Sequence, residues 1–66
     1  MKRTITTAVP PSEIMEILLK SGAKVEVEIR KGEPFHGMPR WEVVVDGRKE
    51  EVEKFMLSFM RSRAGG

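Results

Sequence analysis

Residues 25–46 read VEVEIRKGEPFHGMPRWEVVVD, two alternating runs on either side of a middle rich in proline and glycine. In the first run Val25, Val27 and Ile29 alternate with Glu26, Glu28 and Arg30; in the second Trp41, Val43 and Val45 alternate with Glu42, Val44 and Asp46. A period of two residues sends one set to each face of an extended chain, so both runs are predicted to be half-buried strands. No helical pattern separates them, and they pair as an antiparallel hairpin. Asp46-Gly47 closes the second run.

Upstream, Lys2 to Val9 sets Ile5, Thr7 and Val9 against Thr4, Thr6 and Ala8, with many β-branched residues, and stops at Pro10-Pro11. This is a further strand. Ser12 is the expected helix cap, with Glu13 in the first turn. Ile14, Met15, Ile17, Leu18 and Leu19 then build a helix that ends at Ser21-Gly22. Downstream, from Lys49 to about Arg63, Val52, Phe55, Met56, Phe59 and Met60 recur at amphipathic-helix spacing. The first two strands, joined by a helix, are expected to run parallel with a right-handed crossover. If the third strand lies between them, both helices cover one face. The expected fold is therefore α+β, a β-α-β-β-α two-layer sandwich with a three-stranded mixed sheet and both helices on one face. Its element order resembles a ferredoxin-like fold lacking the last strand, a likeness that carries no function.

The 66 residues form a single domain, with Ala64-Gly65-Gly66 read as a disordered tail. A chain this short barely supports its own core, so a homodimer is expected. Cysteine is absent, which excludes disulfides, thiolate catalysis and cysteine-based zinc sites. The N-terminus has no apolar run suited to a signal peptide or a membrane span, and a cytoplasmic location is expected. Asn and Gln are absent while 33% of the residues are charged, a pattern of proteins that work hot, so a thermophilic source is expected. The formal net charge of +2 divides into basic flanks, residues 1–24 and 48–66, and an acidic middle.

Catalysis has little to draw on. The chain holds one His, one Asp and no Cys or Tyr, the serines stand beside no base, and the scattered Glu residues lack metal-ligand spacing. The glycines are isolated turn residues and cradle no phosphate. The chain is expected to be a non-enzymatic binding module without a cofactor or metal. Roughly ten residues link the two alternating runs where a tight hairpin needs two to five, and long connections are disproportionately functional. In this 30–41 loop Arg30, Lys31 and Arg40 flank Phe35, His36 and Trp41. Cations beside flat rings grip phosphates and stack on bases. Nucleic-acid binding through Arg30, Lys31, Phe35, His36 and Arg40, assisted by Arg48 and Lys49, is the first expectation. Trp41 is in phase with Val43 and Val45 and is expected to turn inward.

The rival expectation is a protein-interaction or inhibitor subunit. Two surfaces suit it. The outward positions Glu26, Glu28, Arg30, Glu42, Val44 and Asp46 form an acidic sheet face that repels phosphate and fits a basic partner. Met15, Leu19 and Leu57 lie off the main helical stripes and offer an apolar surface. Strand edges differ as well. Glu26 and Glu28 discourage pairing along the second strand, whereas Thr4 to Val9 carries no charge and is the expected edge for strand-mediated dimerisation.

Overall fold

The computed structural model describes residues 1–64, with backbone only at 63 and 64. Five elements follow in order: β1 (Lys2–Thr7), α1 (Pro11–Ser21), β2 (Val25–Lys31), β3 (Trp41–Gly47) and α2 (Lys49–Ala64). The class is α+β. The strands form one open sheet in the order β1-β3-β2, and both ladders are antiparallel. The expected mixed sheet is thereby corrected. β1 and β2 do point the same way, but β3 returns from the hairpin and enters between them, so no two parallel strands touch.

Local chemistry sets the helix ends. Pro10, with extended backbone (φ −67°, ψ 154°), is the residue before α1, and its carbonyl accepts the Glu13 and Ile14 N–H groups at 3.0 and 3.1 Å. Pro11 then opens the helix, where its missing N–H leaves no bond unmade. Ser12 is consequently inside the first turn, and no side chain caps it, contrary to the sequence expectation. Gly22 ends α1 in the left-handed region at φ 67°, and the Ser21 hydroxyl fastens the exit by donating to the Leu18 carbonyl at 2.8 Å while accepting the Ala23 N–H at 3.1 Å. At the other terminus α2 reaches Ala64, and the remainder of the expected 64–66 tail lies outside the described residues.

One core joins the elements. Ile14 and Ile17 of α1, Val43 and Val45 of β3, and Val52, Phe55 and Phe59 of α2 are buried together, with Ile5, Val25, Val27 and Ile29 packed around them. The Phe55 and Phe59 rings, one helical turn apart, lie 6.2 Å apart at 29°. Both helices thus rest on the face that carries Val43 and Val45.

Register defines the opposite face. Lys2, Asp46 and Glu26 form one row across the three strands, Thr4, Val44 and Glu28 a second, and Thr6, Glu42 and Arg30 a third. Val44, at the centre of this layer, is only 9% exposed although no helix covers it. Lys2, Glu26, Glu28, Val44 and Asp46 line a shallow hollow there. Among the described residues no helix is long and apolar enough to cross a membrane.

Candidate recognition ribbon

The connection between β2 and β3 is not a free loop. Lys31 still pairs with Trp41, and the Gly32 N–H donates to the Arg40 carbonyl at 2.8 Å. Further out, Phe35 and Met38 exchange two bonds, the Phe35 N–H to the Met38 carbonyl at 3.0 Å and the Met38 N–H to the Phe35 carbonyl at 2.9 Å. Only His36 and Gly37 remain between them, with φ values of 51° and 76°. Two successive left-handed residues make the primed turn whose twist matches that of paired strands. Gly37 adopts it freely, whereas a histidine there is uncommon.

The two paired zones are out of step by one residue. Glu33 and Pro34 oppose the single Pro39, so the ribbon carries a bulge that sharpens its twist. Both prolines sit within this interruption, where no ladder bond needs an N–H. Within the expected loop, the connection from Lys31 to Trp41 is thus a hydrogen-bonded, bulged ribbon closed by a two-residue turn.

Its tip is apolar and flat-ringed. Phe35 is 57% exposed and Met38 59%. The Phe35 and His36 rings meet edge to face with centroids 4.2 Å apart, and the Arg40 guanidinium carbon lies 5.2 Å from the Phe35 centroid. Arg40 is half-buried, and its Nε is shielded from solvent without a hydrogen-bond partner. Trp41 is half-buried at the base of the ribbon, in line with its inward phase.

Arg30 behaves differently. It projects onto the open sheet face, and its Nε donates to Glu28 Oε1 at 3.0 Å. That hydrogen bond, and then the guanidinium charge, hold the Glu28 carboxyl below its ordinary range, while the same contact raises Arg30. The cations on the ribbon proper are Lys31, which is exposed, and Arg40.

Of the residues singled out from sequence, Lys31, Phe35, His36 and Arg40 share this ribbon, and Arg30 stands at its root. Arg48 and Lys49 follow Gly47, beyond the opposite end of β3, and the strand alone separates them from the ribbon by about 20 Å. Arg48 instead borders a cleft with Gly22, Lys24, Glu51 and Lys54, where Glu51 Oε1 accepts the Lys24 N–H at 2.8 Å. Met15, Leu19 and Leu57 are 45, 79 and 56% exposed. Leu57 lines a groove with Met1, Arg3, Met56 and Met60, a group that includes neither Met15 nor Leu19. Sequence reasoning passed over Met38 and Met1, and it counted Met60 in the apolar stripe of α2, where the residue is in fact 62% exposed. Met38 was recoverable: Pro34-Phe35-His36-Gly37-Met38-Pro39 is nearly symmetric about His-Gly, as a two-residue turn requires. Among the described residues no cluster of three or more His, Asp or Glu could hold a metal.

Over residues 1–66 the sequence matches the family CHP_AF_0576, described as "Uncharacterised protein". The chain belongs to this family. No curated protein and no solved structure matches it. Membership brings no substrate or partner with it, so chemistry has to be read from the ribbon and the surfaces around it.

Proposed function

We propose that this chain is a non-enzymatic binding module that takes single-stranded nucleic acid on the tip of the β2–β3 ribbon. One observation carries the reading: a ring held mostly in solvent, Phe35 at 57% exposure, beside a hydrogen-bonded turn with Arg40 against it. Exposing an aromatic at a tight turn gives up the burial it would gain against the core. A flat base restores it, since every base has a face to stack and stacking contributes about 1–3 kcal/mol. Lys31 and Arg40 supply charge for the phosphates on either side. Single strands fit better than duplexes because their bases are free to leave the stack. The acidic rows of the open face steer phosphate away from the sheet and toward the ribbon. Arg48 and Lys49 drop out of this site, being at the far end of β3.

The element and strand order resemble a ferredoxin-like sheet without its last strand, and the composition, charged and free of Asn and Gln, supports a hot-growing source. A protein-interaction role is the second reading, favoured by the carboxylates of Glu26, Glu28, Glu42 and Asp46 gathered on one face.

Trp41, at the ribbon's base, is the natural reporter. Titration with single-stranded RNA, single-stranded DNA and duplex DNA at low and moderate salt is expected to change its emission, with affinity falling as salt rises. Phe35→Ala is expected to weaken binding by roughly 5- to 150-fold, and Lys31→Glu with Arg40→Glu to abolish it, all with unchanged circular dichroism. Unaltered emission with every nucleic acid, or a Phe35→Ala variant that binds like the parent, overturns the proposal.

A further inference from the structure

We infer that the free edge of β1 is a docking site for a second copy of this chain, joined β1 to β1 in antiparallel register about Thr4. The inference does not depend on the ribbon. It starts from which backbone groups β3 uses. Met1 and Gly47 exchange two bonds, the terminal amine to the Gly47 carbonyl at 2.7 Å and the Gly47 N–H to the Met1 carbonyl at 3.0 Å. Antiparallel ladders alternate, so Arg3, Ile5 and Thr7 also turn their N–H and C=O toward β3. Lys2, Thr4 and Thr6 turn theirs outward, where β1 has no further strand.

A bare edge is usually guarded. β2 guards its own along most of its length with Glu26, Glu28, Arg30 and Lys31, whereas the charges of β1 are confined to Lys2 and Arg3 at its start and Thr4 to Thr7 carries none. Beside this unguarded edge the core is unfinished. Met1, Arg3 of β1 and Val52, Glu53, Met56, Leu57 and Met60 of α2 line a groove of about 310 Å³. Met1, Leu57 and Met60 remain 48, 56 and 62% exposed. Backbone groups that need a strand and side chains that need apolar cover lie along the same border.

The strand that fits both is β1 itself. Centred on Thr4, the pairing sets Thr4 against Thr4 of the second copy and Lys2 against its Thr6. It uses every outward group from Lys2 to Thr6 and forms about six hydrogen bonds. On the helix side Ile5 of the second copy comes to lie beside Arg3, at the groove. On the open side the row Glu26, Asp46, Lys2 runs on into Thr6, Glu42 and Arg30 of the second copy. Lys2 then stands between its own Asp46 and Thr6 of the second copy, with that chain's Glu42 one strand further on. The contact is its own mate, as a two-fold interface must be. It merges two three-stranded sheets into one of six strands. A chain of 66 residues, which buries little surface alone, gains the cover it lacks.

Light scattering and sedimentation over a concentration series test this on the full chain. Dimers are expected, and Thr4→Pro is expected to weaken them about 100-fold, since it deletes two interface N–H bonds and no bond to β3. Met60→Glu, at the groove, is expected to weaken them also. Circular dichroism of both variants should match the parent. Amide exchange of the unaltered chain gives an independent reading: Lys2, Thr4 and Thr6 should exchange slowly in the dimer and quickly on dilution, while Arg3, Ile5 and Thr7 stay protected throughout. A monomer at every concentration overturns the inference. So does a dimer in which the Thr4 and Thr6 amides exchange freely, or one that Thr4→Pro leaves equally tight.

Discussion

β1 and β2 flank the same central strand, and their sequences treat it differently. On the helix side β2 presents Val25, Val27 and Ile29 to the core, and on the open side Glu26, Glu28 and Arg30. Its alternation is complete, and the charged set doubles as a guard along the exposed edge. β1 offers the core one aliphatic side chain, Ile5, between Arg3 and Thr7, and sets Lys2, Thr4 and Thr6 on the other side. Thr7 is 2% exposed, and its Oγ1 accepts the Val9 N–H at 3.1 Å, so even its burial serves the turn into α1 more than apolar packing. β2 is held by its ladder to β3 and by three aliphatic side chains against the core. β1 is held mainly by its ladder to β3 and leaves apolar and backbone groups wanting a neighbour. The contrast teaches that an edge strand's sequence reports whether it is meant to be the last one.

The largest expected effect removes what both strands share. Phe55 is fully buried in the core, and Phe55→Ala is expected to cost about 3–5 kcal/mol by transfer and cavity terms. A domain this small has only about 3–10 kcal/mol to lose. Thermal melting should therefore drop by at least about 15 °C or lose its cooperativity, and association through β1 should fall with it. A variant that melts like the parent would mean that the core is not where the two edges are anchored.

A smaller but more selective effect comes from erasing the difference itself. Glu26→Thr with Glu28→Thr leaves β2 with two threonines and one cation, Arg30, on its open side, the composition that Thr4, Thr6 and Lys2 give β1. With both borders unguarded, the chain is expected to assemble beyond a dimer as its concentration rises, read as a growing mass in light scattering. An unchanged mass would show that charge is not what keeps β2 solitary.

Much of this was legible in the residues. Alternation in 25–30 and 41–46 placed both hairpin strands to within a residue, and the same phase assigned Glu26, Glu28, Glu42 and Asp46 to the open face. Gly22 marked the end of α1 for the reason that glycine tolerates a left-handed backbone. What failed did so where two local rules competed. Ser12 is a good cap by type, but Pro11 beside it is a better first residue and shifted the start. The bonded pair Phe35–Met38 within the 30–41 loop was missed because alternation cannot register a bulge that puts two residues opposite one. Grouping Arg48 and Lys49 with the ribbon counted charge without distance.

The smallest expected effect lies on the guarded edge. Glu28 and Arg30 are both well exposed, so their ion pair contributes little and is weakened by salt. Its direction with pH is nonetheless fixed. The Arg30 hydrogen bond and charge place the folded-state pKa of Glu28 below the ordinary 4.5, so the folded chain releases this proton more readily than the unfolded one. The resulting stabilisation is present above the ordinary carboxylate value and is lost as pH falls through the lowered one. Glu28→Gln should therefore melt slightly below the parent at neutral pH and together with it in acid. The gap should also shrink at about 1 M salt, where the screening length falls to about 3 Å. A gap that persists in acid would mean that Glu28 acts through packing over Val44, and β2 would then owe its solitude to shape more than to charge.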